Sequence, residues 1–243
     1  MNAPEASTRA PAARIVAGGL CLALASWTAL ILIPTHSTRI GRIDQMTETA
    51  TTDPATGEFK AAKDDTLLPQ TPNGAINQGA RTYVALGCAE CHTQQVTHPA
   101  LGTDFERGFG RRHSVPRDYL HARTAAPGTR RIGPDLANAG VRLAAASDAE
   151  LLAYLYNPRA SMLHPGSTAP AHPGLFREIA IEPDAPAPAN ALRIPPALTK
   201  PATAIVPTHE ALTLLAYLRS LDQDYDLPEA IRAETKPATA RKP

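Results

Sequence analysis

Cys88-Ala89-Glu90-Cys91-His92 sets two cysteines around a two-residue gap, with a histidine directly after the second. This is the spacing at which a chain captures haem covalently: both thiols become thioethers to the vinyl groups, and the imidazole becomes the proximal axial ligand of iron. A structural zinc site needs four N or S ligands, and the only other cysteine, Cys21, lies far off in an apolar run. A redox dithiol belongs in a βαβ setting, whereas the residues around Cys88 read as helical. The expected cofactor is one covalently bound c-type haem on Cys88, Cys91 and His92.

Upstream of this motif, Ile76, Ala80, Tyr83, Val84 and Gly87 recur at spacings of three and four, so a helix starting near Ala75 leads into it. Downstream, Ser147 with Glu150 three residues on is a capping-box pattern ahead of Leu151, Leu152, Tyr154 and Leu155, and Pro158 closes that helix. A third helix begins after Pro207 with Thr208 as its cap and Leu212, Leu215, Ala216 and Leu218 as its buried face, to about Leu221. No alternating strand pattern of useful length competes, so the expected fold is all-α with long loops. The domain, residues 75–227, is large for so few helices, and haem itself has to fill much of its core.

The ends read differently. Residues 15–34 carry no charge, and a helix of that length approaches the roughly 30 Å of a bilayer core. Arg9 and Arg14 precede it, which places residues 1–14 in the cytoplasm, although Arg39 and Arg42 weaken the asymmetry. A cleaved signal peptide is the competing reading, but no small-x-small site follows Ile33. Cys21 is preceded by Leu20, which does not suit lipid attachment. Residues 35–74, rich in Thr, Asp, Ala and Pro, read as an extended tether, and 228–243 as a tail. Of 24 prolines in 243 residues, many fall between Pro165 and Pro207, and the Pro-rich loop 182–207 has no assigned role. A net charge of +1 gives no reason to expect a nucleic-acid partner.

Gln78-Gly79-Ala80-Arg81-Thr82-Tyr83, the stretch Gly87 to Val96, Arg107-Gly108-Phe109-Gly110-Arg111-Arg112, Asp118-Tyr119, Arg131-Ile132-Gly133-Pro134-Asp135-Leu136, Leu155-Tyr156-Asn157-Pro158-Arg159 and Ala216 to Tyr225 occur in that order. Together they resemble the mono-haem cytochrome c subunit, subunit II, of cbb3-type cytochrome c oxidases. The resemblance implies a cytochrome c-type domain tethered by one N-terminal transmembrane helix to the bacterial inner membrane, with the haem in the periplasm. It implies an electron carrier with no catalytic residues of its own. Its partners would be the catalytic and other subunits of a terminal oxidase, with a soluble or membrane cytochrome as donor.

The family pattern has a Met-Pro pair after Pro-Gly-Ser, whose thioether is the expected sixth iron ligand, but here the chain reads Ala169-Pro170. Met162 is the one methionine after the haem motif and is the first choice of substitute, because thioether ligation raises the reduction potential. His164 and His172 are rivals, and an open sixth position, able to bind a diatomic gas, is the remaining alternative. That opening would favour a haem-based gas-binding or sensing protein, or a weak peroxidase; a stand-alone electron carrier outside the oxidase is a separate alternative.

Between Arg107 and Arg131 seven arginines are offset by few acids. Some are candidates to pair with haem propionates, Arg131 foremost because it adjoins the segment that resembles the family's haem-contacting loop. Pro134, with no amide hydrogen, suits a wall against the ring, and its carbonyl is the candidate acceptor for the proximal imidazole N–H. His98, His113 and His121 lack regular spacing and read as surface residues.

Overall fold

The computed structural model describes residues 9–34, 45–47, 51–52, 59–60, 66–123, 125–161, 163–164, 166–182, 186–227, 229–230 and 232. The chain divides into two units, Met1–Asp44 and Gln45–Pro243. In the first, helix α1 (Arg9–Trp27) continues through a wider π-type turn, Thr28–Leu32. Within it Ala12–Leu32, 21 residues, is long and apolar enough to cross a membrane. Ile15, Leu22 and Leu30 are among its exposed apolar side chains.

The second unit begins with two small antiparallel pairs. Strand β1 (Met46–Thr47) pairs with β4 (Leu67–Leu68), Met46 opposite Leu68, while β2 (Thr51–Thr52) pairs with β3 (Phe59–Lys60). Leu68 packs against a cluster of Val115, Tyr225, Leu227 and Ala230, and Gln45 Nε2 donates to Pro69 O at 2.7 Å. The later part of residues 35–74, expected to be an extended tether, therefore has paired and packed segments.

Helix α2 (Gly74–Ala85) starts where Asn73 Oδ1 accepts the Ile76 amide at 3.0 Å, a cap of about 1 kcal/mol. It ends through Leu86 and Gly87, whose φ of +71° lies in the left-handed region that favours glycine. The reversal feeds directly into the tight turn Cys88–Glu90. After the short turn α3 (Ala139–Arg142), helix α4 (Asp148–Tyr156) carries the reciprocal cap: Ser147 Oγ accepts the Glu150 amide and Glu150 Oε2 accepts the Ser147 amide. Helix α5 (His209–Ser220) is capped by Thr208, whose hydroxyl accepts the Ala211 amide and donates to Leu175 O at 2.7 Å.

Helices α2 and α5 cross at Gly79. A Cβ there would lie 2.0 Å from Thr213 O and 2.7 Å from Tyr217 Cβ, so no larger residue permits this approach. The crossing sets which faces are buried. Gly79 and Tyr83 of α2 face inward with Ala211, Thr213, Leu214 and Leu215 of α5, while Val84 and Leu212, expected in the buried stripes, are about half exposed at 49% and 46%. Tyr83, Leu151, Leu152, Tyr156, Leu175, Phe176, Ile205 and Leu214 form the main core, and each fully buried aliphatic side chain contributes about 2 kcal/mol.

The fold is not all-α. Strand β5 (Phe176–Ala180) pairs antiparallel with β6 (Thr203–Pro207), from Phe176 opposite Pro207 to Ala180 opposite Thr203. Ala204, Ile205 and Val206 are buried in succession, whereas on β5 only Phe176 is. Within the Pro-rich loop Leu192 bridges to Ile205, and Leu192 and Ile194 pack on the core. The loop thus starts and ends on a strand pair that closes one side of the core.

A second centre holds loop 111–119 to the chain after α5. Arg112, 1% exposed, forks onto both oxygens of Asp118 at 2.6 and 2.9 Å, donates from Nε to Tyr225 O at 2.6 Å and stacks on the Tyr225 ring at 4.6 Å. The Tyr225 hydroxyl and the Val115 amide donate to the same carboxylate. A buried pair so fully bonded is costly to break from one side, by roughly 3–5 kcal/mol.

Candidate haem-binding site

The turn Cys88–Glu90 and Cys91 directly after it present both thiols half-buried and unjoined, and burial pushes the Cys88 thiol up to about 11. The chain then runs extended past His92, and residues 127–136 lie along it. Gln94 N donates to Pro127 O, Thr129 N to Ala89 O, Gly133 N to Cys91 O and Leu136 N to Thr93 O, at 2.7 to 3.2 Å. Two glycines make this approach possible. A Cβ at Gly128, where φ is +85°, would fall 2.3 Å from His92 O, and one at Gly133 would fall 2.2 Å from His92 Cε1.

His92 Nδ1 lies 2.8 Å from Pro134 O. A carbonyl oxygen only accepts, so Nδ1 is the donor, and in the neutral ring Nε2 then keeps its lone pair. The ring is thus oriented by the peptide backbone, with Nε2 free of any hydrogen-bond partner among the described residues. Two adjacent thiols and an imidazole held in this tautomer are the donor set that a c-type haem requires, and the residues fit that group.

Arg131, the foremost propionate candidate, is bonded to the protein's own acceptors. Its Nε donates to Thr93 Oγ1 at 2.7 Å, one terminal nitrogen to Asp104 Oδ1, and the other to Gln95 O at 2.5 Å. Of the other arginines proposed for propionates, Arg111 pairs with Asp224, Arg112 with Asp118 and Arg117 with Glu229, while Arg107 stacks over Phe109. These guanidinium groups bind the protein's own acceptors or rings.

A model of the family described as cytochrome c oxidase, mono-heme subunit/FixO matches residues 56–196, more than half of the 243, and takes in the haem motif and the loop over it. The chain belongs to that family. Membership of FixO brings one haem and a place as a subunit of a cytochrome c oxidase. No curated protein matches the chain.

In the segment after α4 this FixO chain departs from the motif it resembles. Ala169 stands where a methionine is expected, its amide donating to Ser167 Oγ at 3.2 Å. Met162 lies outside the described residues. His164 is exposed, its ring edge-on to Tyr154 at 5.6 Å. His172 is half-buried, burial lowers its affinity for a proton, and its amide donates to Leu155 O at 3.0 Å.

Three residues of the site carried no role in the sequence. Asp104, 2% exposed, takes the Thr97 amide and hydroxyl on Oδ2 at 2.6 and 2.8 Å. Burial opposes its ionisation, but hydrogen bonds from Arg131 and Thr97 win and hold its carboxyl below the ordinary range. Asp135, fully buried, takes the Thr93 hydroxyl, the Gln95 amide and the Ala137 amide at 2.6 to 2.8 Å. Gln94, 5% exposed, accepts the Tyr217 hydroxyl on its side chain and the Tyr119 hydroxyl on its carbonyl. No local pattern marks Asp104, whereas Asp135 was visible as the residue after Pro134.

Proposed function

We propose that the chain is a membrane-anchored c-type cytochrome that carries electrons through one haem covalently held by Cys88 and Cys91, with His92 as proximal ligand, to the catalytic subunit of a cbb3-type oxidase. The observation that carries this reading is the His92–Pro134 contact at 2.8 Å beside two free thiols. Bound haem would supply one-electron chemistry between ferrous and ferric iron.

The chain's own contribution is positional. Pro134 O holds the Nδ1 proton and so raises the basicity of Nε2, while Gly133 allows the loop to lie on the ring without displacing it. Two thioether bonds, to Cys88 and Cys91, would fix the haem to the chain, and the hydrogen bond to Pro134 O would fix the orientation of the His92 ligand. Residues 15–34 would anchor the chain in the bacterial inner membrane with the haem domain in the periplasm, since c-type haem is attached outside the cytoplasm. Other oxidase subunits and a cytochrome donor are the partners that family membership suggests.

Met162 is the proposed sixth ligand, with His172 and His164 as rivals. The alanine at 169 favours a second reading, gas binding at an open iron. The test is the visible spectrum of the reduced, haem-matured full chain before and after carbon monoxide. An unchanged spectrum supports the electron carrier, and ready binding supports the gas-binding reading.

A further inference from the structure

The contacts around Thr93 form a frame beside the proximal histidine. The His92–Pro134 contact is one rung, and the next residues along each segment make a second, Thr93 Oγ1 donating to Asp135 Oδ2 at 2.6 Å. Arg131 spans this frame, reaching Thr93, Gln95 O and Asp104, with Asp135 Oδ2 3.5 Å from the same guanidinium. Asp104 in turn grips Thr97 through its amide and hydroxyl. Arg142 donates to Asp135 O from the other side. Two carboxylates, 2% and 0% exposed, therefore flank Arg131, which itself donates to the residue that follows the proximal ligand.

We propose that Arg131 and Asp104 are positioning residues that set the reduction potential of the haem, Arg131 by offsetting the two buried carboxylates and Asp104 by partly cancelling Arg131. This rests on the reading of Cys88, Cys91 and His92 as the haem site and reassigns Arg131 from the propionates to the proximal side. Charges in a water-poor setting act strongly on a nearby change of charge, and oxidation of iron adds one positive charge. Removing the cation leaves Asp104 and Asp135 less compensated, which favours ferric iron and lowers the potential. Removing the Asp104 charge does the reverse. A frame that merely held the loop in place would respond differently, since loosening it from either end admits water to the same site and shifts the potential in one direction.

The test is spectroelectrochemical titration of the full haem-bearing chain for wild type, Arg131→Met, Asp104→Asn and the double variant. The expected result is a lower potential for Arg131→Met, a higher one for Asp104→Asn, and a double variant between the two. If Arg131→Met does not mature, Arg131→Lys keeps the charge without the fork and is expected to stay near wild type while Asp104→Asn still rises. Shifts of the same sign, or no shift in either variant, overturn the proposal. A chain that carries no covalent haem by intact mass fails the underlying site reading instead, so the two failures are distinguishable.

Discussion

Gly133 lies against the His92 imidazole so closely that a Cβ on it would sit 2.2 Å from Cε1 and 2.7 Å from Nδ1. The ring and the loop compete for this space, and the hydrogen bond to Pro134 O exists only because residue 133 has no side chain. Gly133→Ala is expected to push the ring off Pro134 O and to destabilise the haem-bearing chain by about 1–3 kcal/mol, the usual cost of overpacking. The matching spectral outcome is a shift of the visible haem bands away from those of wild type. A variant with wild-type bands and melting temperature would show that the loop is free to retreat.

The α2–α5 crossing makes an independent prediction. Gly79→Ala forces a Cβ into the Thr213 carbonyl and is expected to cost about 1–3 kcal/mol or more in denaturant unfolding. Gly174→Ala, where nothing lies within 4 Å, is the control and should stay within about 0.5 kcal/mol of wild type. Equal effects at both positions would contradict a close helix crossing.

Arg112→Met leaves the buried Asp118 carboxylate facing only neutral donors and is expected to destabilise by roughly 3–5 kcal/mol. Arg112→Lys should recover little, because one ammonium cannot reproduce the fork onto Asp118 together with the bond to Tyr225 O. Urea midpoints for the three proteins check this, and near-complete rescue by lysine would contradict it.

Acid stability follows from Asp104. Its folded carboxyl titrates below its unfolded value of about 4, so as pH falls the unfolded chain takes up the proton first. The stabilisation is present in full above that value and is lost as pH falls through the lower folded one. Asp104→Asn removes this dependence, so its unfolding free energy should fall less steeply than that of wild type below about pH 4. Parallel acid limbs in the two proteins would contradict the assignment.

Local signals were legible and relational ones were not. The Ser147–Glu150 box and the Thr208 cap each lie within one turn, and both stand in the structure where the residues suggested. The buried faces of α2 and α5 were phased wrongly at Val84 and Leu212, because a hydrophobicity stripe gives no weight to Gly79, the residue on which the crossing depends. Strands β5 and β6 escaped notice because Arg177 and Glu178 interrupt any apolar run and the partner strand lies beyond a long Pro-rich loop. Arg131 was noticed for its charge, but its partner Asp104 is far from it in sequence, and only the folded loop brings the two together.

Intact mass of the purified full chain, denatured in acid after expression with c-haem maturation, tests the central claim most directly. The account predicts a mass increased by one haem that survives denaturation and is lost in Cys88→Ala/Cys91→Ala. A chain at its unmodified mass, with haem released into solvent on denaturation, would contradict covalent attachment and with it the c-type electron carrier.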